Sequence, residues 1–338
     1  MNLPLSSPER TLVAPEPLLF QRVRLNAAEA APAALGGRRV GLGVGSLHAT
    51  LLAPAGAVFD AWSTAVPAAD RRHGCVRYAT EGQWLHGVAE IDEGAEGLQA
   101  ASHRAYDDLF AVLAQNACPN LLRLWNYLAG INREAGGSER YRQFNAGRQQ
   151  AFIEARRSAF EGAPAACALG MREGSLRVYF LAGRQPPLAI ENPRQVSAYR
   201  YPDSYGPRSP TFSRAALANV GGGRQVLFIS GTASIVGHTT VHIGDVRRQT
   251  EESLLNIATL RRLAAERAGA PFPADGLFYT VYVRDPAHLA GVREVFEREV
   301  GAASAAARDC VYLQADICRA ELLVEIEAHG FVRTGVAA

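Results

Sequence analysis

The clearest hydrophobic patterning lies in the last third of the chain. An apolar run at 225–230 predicts a strand, and 246–268 reads as an amphipathic helix. A strand at 276–283, a second helix at 286–300 and strands at 310–315 and 321–328 follow. Strand, helix, strand, helix, strand predicts a layer in which helices cover one face of a sheet. Upstream, 94–133 reads as helical. Ala105, Leu109, Val112 and Leu113 recur at helix spacing, and Leu121, Leu122, Trp125 and Leu128 resume it after Pro119. Residues 139–160 form a polar helix candidate, with Tyr141, Phe144, Arg148 and Phe152 three or four apart. Strands are expected at 18–25, 166–181 and 197–201, and 183–193, with three prolines, is a connection. No internal repeat or low-complexity tract is evident.

A length of 338 residues suggests two domains and is ample for a buried core. The 35 basic and 33 acidic residues nearly cancel, leaving net charge +2, so a polyanion-binding face is not expected. Every basic residue is arginine. Guanidinium forks grip carboxylates in a bidentate way, which keeps a small anionic metabolite open. The five cysteines, Cys75, Cys118, Cys167, Cys310 and Cys318, form no CxxC pair or Cys/His cluster, so no metal centre or disulfide framework is expected. The opening MNLPLSSPERTL lacks the apolar run of a signal peptide, and no stretch of ~18 apolar residues predicts a membrane span. The expectation is a cytoplasmic, reduced protein. Gly41, Gly43 and Gly45 alternate before an apolar run at 47–53, but a third glycine opening a helix and a distal acid are missing. A strand bend fits better than a dinucleotide loop, and no cofactor is expected.

The tail from Tyr312 to Glu327 (YLQADICRAELLVEIE) holds the most chemistry. In a strand, Leu323, Glu325 and Glu327 share one face, and Leu322, Val324 and Ile326 share the other, which belongs to the core. The glutamate row is either solvated or lines a cleft. In a half-dry cleft its carboxyl is pushed up and serves as a general acid. Cys318 neighbours Arg319, whose charge favours thiolate, but the reading to prefer from the sequence is a small buried hydrophobe. The strand FISGTAS runs into Gly231, marking either a close backbone approach or a β-bulge. His238 and His242 are four apart, but Gly237 and the β-branched residues around them argue against the helix a metal pair would need. The segment YRYPDSYGPRSPTFSR carries Tyr205, Arg208 and Arg214 and is pinned by three prolines, which suits presenting polar groups to a ligand. Arg148 adds another cation, and a dicarboxylate needs two or more to converge.

Two resemblances follow from these segments. FISGTASIVGHTTVHIGDVRRQTEESLLNI, LFYTVYVRDPAHLAGVREVF and LLVEIEA resemble the YjgF/RidA fold over 224–328. Within it, ARDCV resembles the stretch whose arginine grips the ligand carboxylate in RidA-type deaminases, which implicates Arg308. The longer combination of YRQFNAGR, AYRYPDSYGPRSPTFSRA and ADICRAELLVEIE is similar to the chorismatases, from about 121 to 328. That resemblance implies an α+β protein: a RidA/YjgF-like (chorismate-mutase-like) sheet with helices on one face over 161–338, plus an N-terminal α/β domain over 1–160. It implies cofactor-free and metal-free cleavage of chorismate, releasing pyruvate, with Glu325 as general acid. Gly231 with Cys318 marks the branch forming 3-hydroxybenzoate, some of whose members also make 4-hydroxybenzoate; the hydrolase branch carries alanine at the first position and a residue other than cysteine at the second. Substrate contacts are expected among Arg148, Tyr205, Arg208, Arg214, Arg308 and Arg319. A chorismate hydrolase, a RidA-type imine deaminase and a silent metabolite-binding module are the alternatives. The partner is a small molecule, with neither nucleic acid nor membrane, and the chain is a monomer or a homotrimer.

Overall fold

The computed structural model describes residues 17–25, 50–53, 57–63 and 70–334. The glycine alternation at 41–45 lies outside them. Strands β1 (Leu19–Leu25), β2 (Thr50–Ala53), β3 (Ala57–Ser63), β4 (Asp70–His73), β5 (Val76–Glu81) and β6 (Trp84–Ile91) precede helix α1 (Gly97–Gln115). Then come β7 (Asn120–Ala129), a short hairpin of β8 (Glu134–Ala135) and β9 (Ser138–Glu139), helix α2 (Arg140–Glu154), β10 (Ala165–Met171) and β11 (Leu176–Gly183). The remainder runs β12 (Leu188–Ile190), β13 (Ala215–Asn219), β14 (Arg224–Thr232), a hairpin of β15 (Ile235–Val236) and β16 (Thr239–Thr240), and α3 (Val246–Ala268). It closes with β17 (Phe278–Val283), α4 (Leu289–Val300), α5 (Ala305–Asp309), β18 (Val311–Gln314), β19 (Asp316–Ile317) and β20 (Val324–Arg333).

Two seven-stranded sheets result, ordered β19-β10-β7-β11-β6-β5-β4 and β12-β13-β14-β20-β17-β18-β2. One core lies between them, where Trp125, Cys167 and Tyr179 of the first sheet meet Phe228, Tyr282 and Leu313 of the second. A second core packs α1 and α2 on the outer face of the first sheet, through Leu109, Phe144 and Phe152. A third packs α3 and α4 on the outer face of the second, through Ile257, Leu260 and Phe296. The protein is thus α+β, helices outside and two sheets face to face, each sheet helix-covered on one side only.

Sheet membership changes after β11, at Gly183, so the division expected at 160/161 falls ahead of two strands that belong to the first sheet. β10 and β11 flank β7 and are buried on both faces, which ties them to it. The termini of the two units also interlace, since β2 edges the second sheet and β19 edges the first.

The helix expected over 246–268 forms at those bounds because both ends are capped. The Asp245 side chain accepts from Arg248 N, and Gly269 takes the left-handed conformation that ends a helix. The helical reading of 121–128 is overturned: these residues form β7, a central strand. A register shift sets Leu181 opposite Arg123 but Ala182 opposite Leu121, leaving Leu122 as a bulge. Leu121, Leu124 and Leu128 therefore face the helices while Leu122, Trp125 and Tyr127 face the other sheet. The bulge breaks the two-residue period and produces a spacing that imitates a helix. The strand expected at 197–201 is instead a 3-10 turn over Ala198–Arg200, ended by Pro202. The aromatic residues there serve side-chain stacking rather than sheet pairing.

Candidate active site

Along β20, Val324, Ile326 and Ala328 enter the core beneath α3 and α4, whereas Glu325, Glu327 and His329 point toward the other sheet. The alternation read from the sequence holds from Val324 onward, whereas Leu322, expected on the same face as Val324 and Ile326, precedes the strand and packs into the core between the sheets. The exposed-face alternative does not hold. Glu325 is 3% exposed and Glu327 5% exposed, at the seam between the sheets. The entry to β20 is fixed by α3, because Leu323 N donates to Gln249 Oε1 at 2.8 Å and Gln249 Nε2 donates to the Glu321 carbonyl at 3.0 Å.

Burial pushes the Glu325 carboxyl up to about 8; Glu327 adds to that, while Arg123 and Arg214 oppose it. Gly231 lies against it. A Cβ at 231 would collide with Glu325 Oε1 and stand 2.7 Å from its Cδ and 2.9 Å from Cys167 Cβ. The pairing of β14 with β20 is irregular between Ile229 and Thr232, so both readings of this glycine, irregularity and close approach, apply.

Cys318 sits on the turn between β19 and β20. Arg284 clamps that turn, donating to the carbonyls of Leu322 at 2.8 Å, Arg319 at 2.9 Å and Ile317 at 3.2 Å. Of the two readings of this cysteine, the buried, neutral one agrees with its surroundings. Burial pushes the Cys318 thiol up to about 12, Glu325 adds to this, and Arg319 only partly opposes it. Cys318 stays a thiol.

Of the expected arginines, Arg214 acts on the acid directly, Arg319 acts on the neighbouring Cys318, and Arg148 lies beside Tyr141, which itself feels Cys318 and Glu325. Arg148, on α2, is buried, donates to Asn145 Oδ1 at 2.8 Å and stacks 4.8 Å from the Phe144 ring. α2 reaches this close to α1 because Gly147 lets the two helices touch, where a Cβ would strike the Gln99 carbonyl. Arg214, entering β13, donates to the Val196 carbonyl at 2.7 Å and Tyr201 Oη at 2.8 Å. Arg319 donates to the His238 carbonyl at 2.8 Å and lies 4.1 Å from the Tyr205 ring and 5.2 Å from Tyr201. Tyr205 donates to the same carbonyl at 2.8 Å, so the Pro-pinned loop and the β15–β16 hairpin close over Arg319 together. Arg148 Nε, Arg214 Nε and Arg319 Nη2 are buried with no acceptor from the protein. Each is a strong donor still to be satisfied.

Arg208 is exposed at the rim, 3.4 Å from Gln149 Oε1. Arg308 is not brought to the site. It is exposed on α5 and donates to the Ala303 carbonyl at 2.6 Å. A groove of about 420 Å³, lined by Leu254, Ile257, Arg261, Tyr279 and Val300, lies on the helix-covered side of the second sheet and contains none of the expected residues.

Sequence reasoning missed Arg123, Arg284, Tyr282 and the part played by Glu327. Arg123 Nη2 donates to Glu327 Oε2 across the seam, and Tyr282 Oη donates to Glu327 Oε1 at 3.0 Å. The one usable signal was a single charge inside the apolar run LLRLW, since an arginine there is buried only if paired.

Comparison with known proteins places this geometry. The family described as "Chorismatase FkbO/Hyg5-like, N-terminal" matches residues 60–182. A protein named 3-hydroxybenzoate synthase, from Streptomyces hygroscopicus, is 38% identical over 296 residues, spanning 84% of this chain and 85% of that one. A chorismatase from Streptomyces rapamycinicus is 39% identical over 277 residues, spanning 79% and 80%. A chorismatase crystal structure matches with a TM-score of 0.80 at 30% identity, covering 94% of this chain and 99% of that one.

Proposed function

The chain belongs to the chorismatase family, and on that premise we propose that it cleaves chorismate to pyruvate and 3-hydroxybenzoate, with Glu325 as the acid that starts the reaction. The observation that carries the assignment of Glu325 is a buried carboxyl, pushed up to about 8, among arginines whose buried N–H groups lack protein acceptors.

An enol ether leaves poorly until its methylene carbon is protonated, which generates an oxocarbenium ion. An acid that keeps its proton through neutral pH and is shielded from water suits that step. Chorismate carries two carboxylates, one on the ring and one on the enolpyruvyl group. Arg148, Arg214 and Arg319 supply guanidinium donors to hold them and so fix the methylene against Glu325. In the branch forming 3-hydroxybenzoate, the 4-hydroxyl displaces the ether within the molecule and the ring then aromatises; the net reaction takes up no water. Cys318, as a neutral thiol beside Glu325, shapes this corner and can pass a proton.

The hydrolase alternative is disfavoured by Gly231, which leaves room for the carboxyl in its present position. The imine deaminase alternative loses its carboxylate anchor, because Arg308 is exposed and turned to Ala303. All five cysteines are free, which suits a reducing cytoplasm. Two sheets stacked within one chain support a monomer over a homotrimer. Among the described residues no helix is long and apolar enough to cross a membrane.

The test is to incubate the purified protein with chorismate alone and to resolve the products by chromatography beside a pyruvate assay. Equal pyruvate and 3-hydroxybenzoate are expected. Pyruvate with a non-aromatic diol would transfer the chain to the hydrolase branch, and no pyruvate would remove the proposal.

A further inference from the structure

Glu325 is not the only buried carboxyl on its strand face. Glu327, two residues on, faces the same seam, and both of its oxygens are occupied by donors, Arg123 from β7 on one and Tyr282 from β17 on the other. The Tyr282 hydroxyl is itself 2.9 Å from that of Tyr127, so the donors are braced from both sheets. A carboxyl that accepts on both oxygens, once from a guanidinium, is in the arrangement that suits the anion.

Two carboxyl groups in one dry space do not both ionise freely, and surrounding donors decide which keeps the proton. We infer that Glu327 is a positioning residue for the reaction: fixed as a carboxylate by Arg123 and Tyr282, it makes Glu325 the member of the pair that carries the transferable proton. The inference rests on Glu325 being the general acid.

Of the other groups facing this pair, Arg214 also works against the proton on Glu325, although its hydrogen bonds go to Val196 and Tyr201 rather than to either carboxyl. Burial pushes the Cys167 and Cys318 thiols and the Tyr141 hydroxyl up, so all three are neutral. His329, next along the face, is driven down by burial and by Arg22 and Arg123, and is neutral too. Arg123 is the cation bonded to one of the two glutamates, Glu327, and so distinguishes between them. It faces the seam in step with Trp125 and Tyr127 along β7.

The experiment is the pH profile of kcat/KM in the full chain. Wild type is expected to lose activity above about pH 8, as Glu325 gives up its proton. In Glu327→Gln, that alkaline limb moves down by about one pH unit or more, with activity at pH 6 largely kept. Glu327→Asp, which keeps the charge, holds the limb near its wild-type position. Tyr282→Phe, which deletes only the hydroxyl donor, moves the limb down by a smaller step and serves if Glu327→Gln does not fold. A uniform loss at every pH with the limb unmoved would overturn the inference and leave Glu327 a purely structural ion-pair partner. Glu325→Gln separates the two layers of the argument. Turnover surviving in that variant defeats the general-acid reading, whereas its loss beside an unmoved Glu327→Gln profile defeats only the present inference.

Discussion

Oε1 of Glu325 occupies the space in which a side chain on residue 231 would begin. The acid of β20 and the glycine of β14 are one steric unit, with Cys167 of the opposite sheet closing the third side. Gly231→Ala therefore has to push the carboxyl or the strand aside. The expected result is a shift of product toward the non-aromatic diol, with a stability loss of ~1–3 kcal/mol from overpacking. Chromatography of the products and denaturant melts check the two parts separately, and an unchanged product ratio would show that the carboxyl relaxes back.

Glu325→Gln removes the proton donor while keeping the shape. Turnover should fall by ~10²–10⁴-fold, the range a positioned general acid contributes, with the circular dichroism unchanged. Stability responds in the opposite sense to activity. A carboxyl raised from about 4.5 unfolded to about 8 folded contributes fully below the lower value, and its contribution is lost as pH rises to the upper one. The stability difference between wild type and Glu325→Gln should thus move against wild type between pH 5 and pH 8. Urea midpoints of both proteins at those two pH values measure this, and a constant difference would contradict the raised carboxyl.

Among the arginines, Arg319 is the most accessible test, since it is only half-buried and its Nη2 lacks a protein acceptor. Losing one charge-assisted hydrogen bond costs ~1.5–3 kcal/mol, so Arg319→Ala should raise KM roughly 10- to 150-fold. Arg308→Ala should leave KM and kcat alone. Steady-state kinetics on the pair would reverse the assignment if Arg308→Ala proved the damaging change.

Cys318, with its thiol pushed up to about 12, should alkylate slowly. Mass mapping after iodoacetamide treatment at pH 7.5 is expected to find it modified no faster than free cysteine. Rapid labelling would mean that Arg319 dominates its surroundings after all. Cys318→Ala is expected to alter the product ratio more than the rate, which the same chromatography would show.

The α3, α4 and β20 elements were legible in the sequence because caps, period and alternation agree there, and Glu325, Gly231 and Cys318 came with them through family resemblance. The arginines were harder. Arg214 reaches Glu325 only through tertiary packing, which no local pattern encodes, and Arg308 was misplaced because its surrounding ARDCV stretch says nothing of where α5 points. β7 was unreadable for a different reason, since a strand buried on both faces has no polar phase and its bulge supplied a false one. At Cys318 the cation adjacent in sequence is outweighed by burial and by a carboxyl in space, in line with the buried reading.

The seam between the sheets also governs how such a protein can change over generations. Its working parts are shared between the two layers: Arg123 and Cys167 on one side of the seam, Glu325, Glu327 and Gly231 on the other. Neither layer can drift at the seam without an answering change in its partner, so the two halves of the chain inherit as one unit, and a half transplanted onto a foreign neighbour would bring its fold without its chemistry.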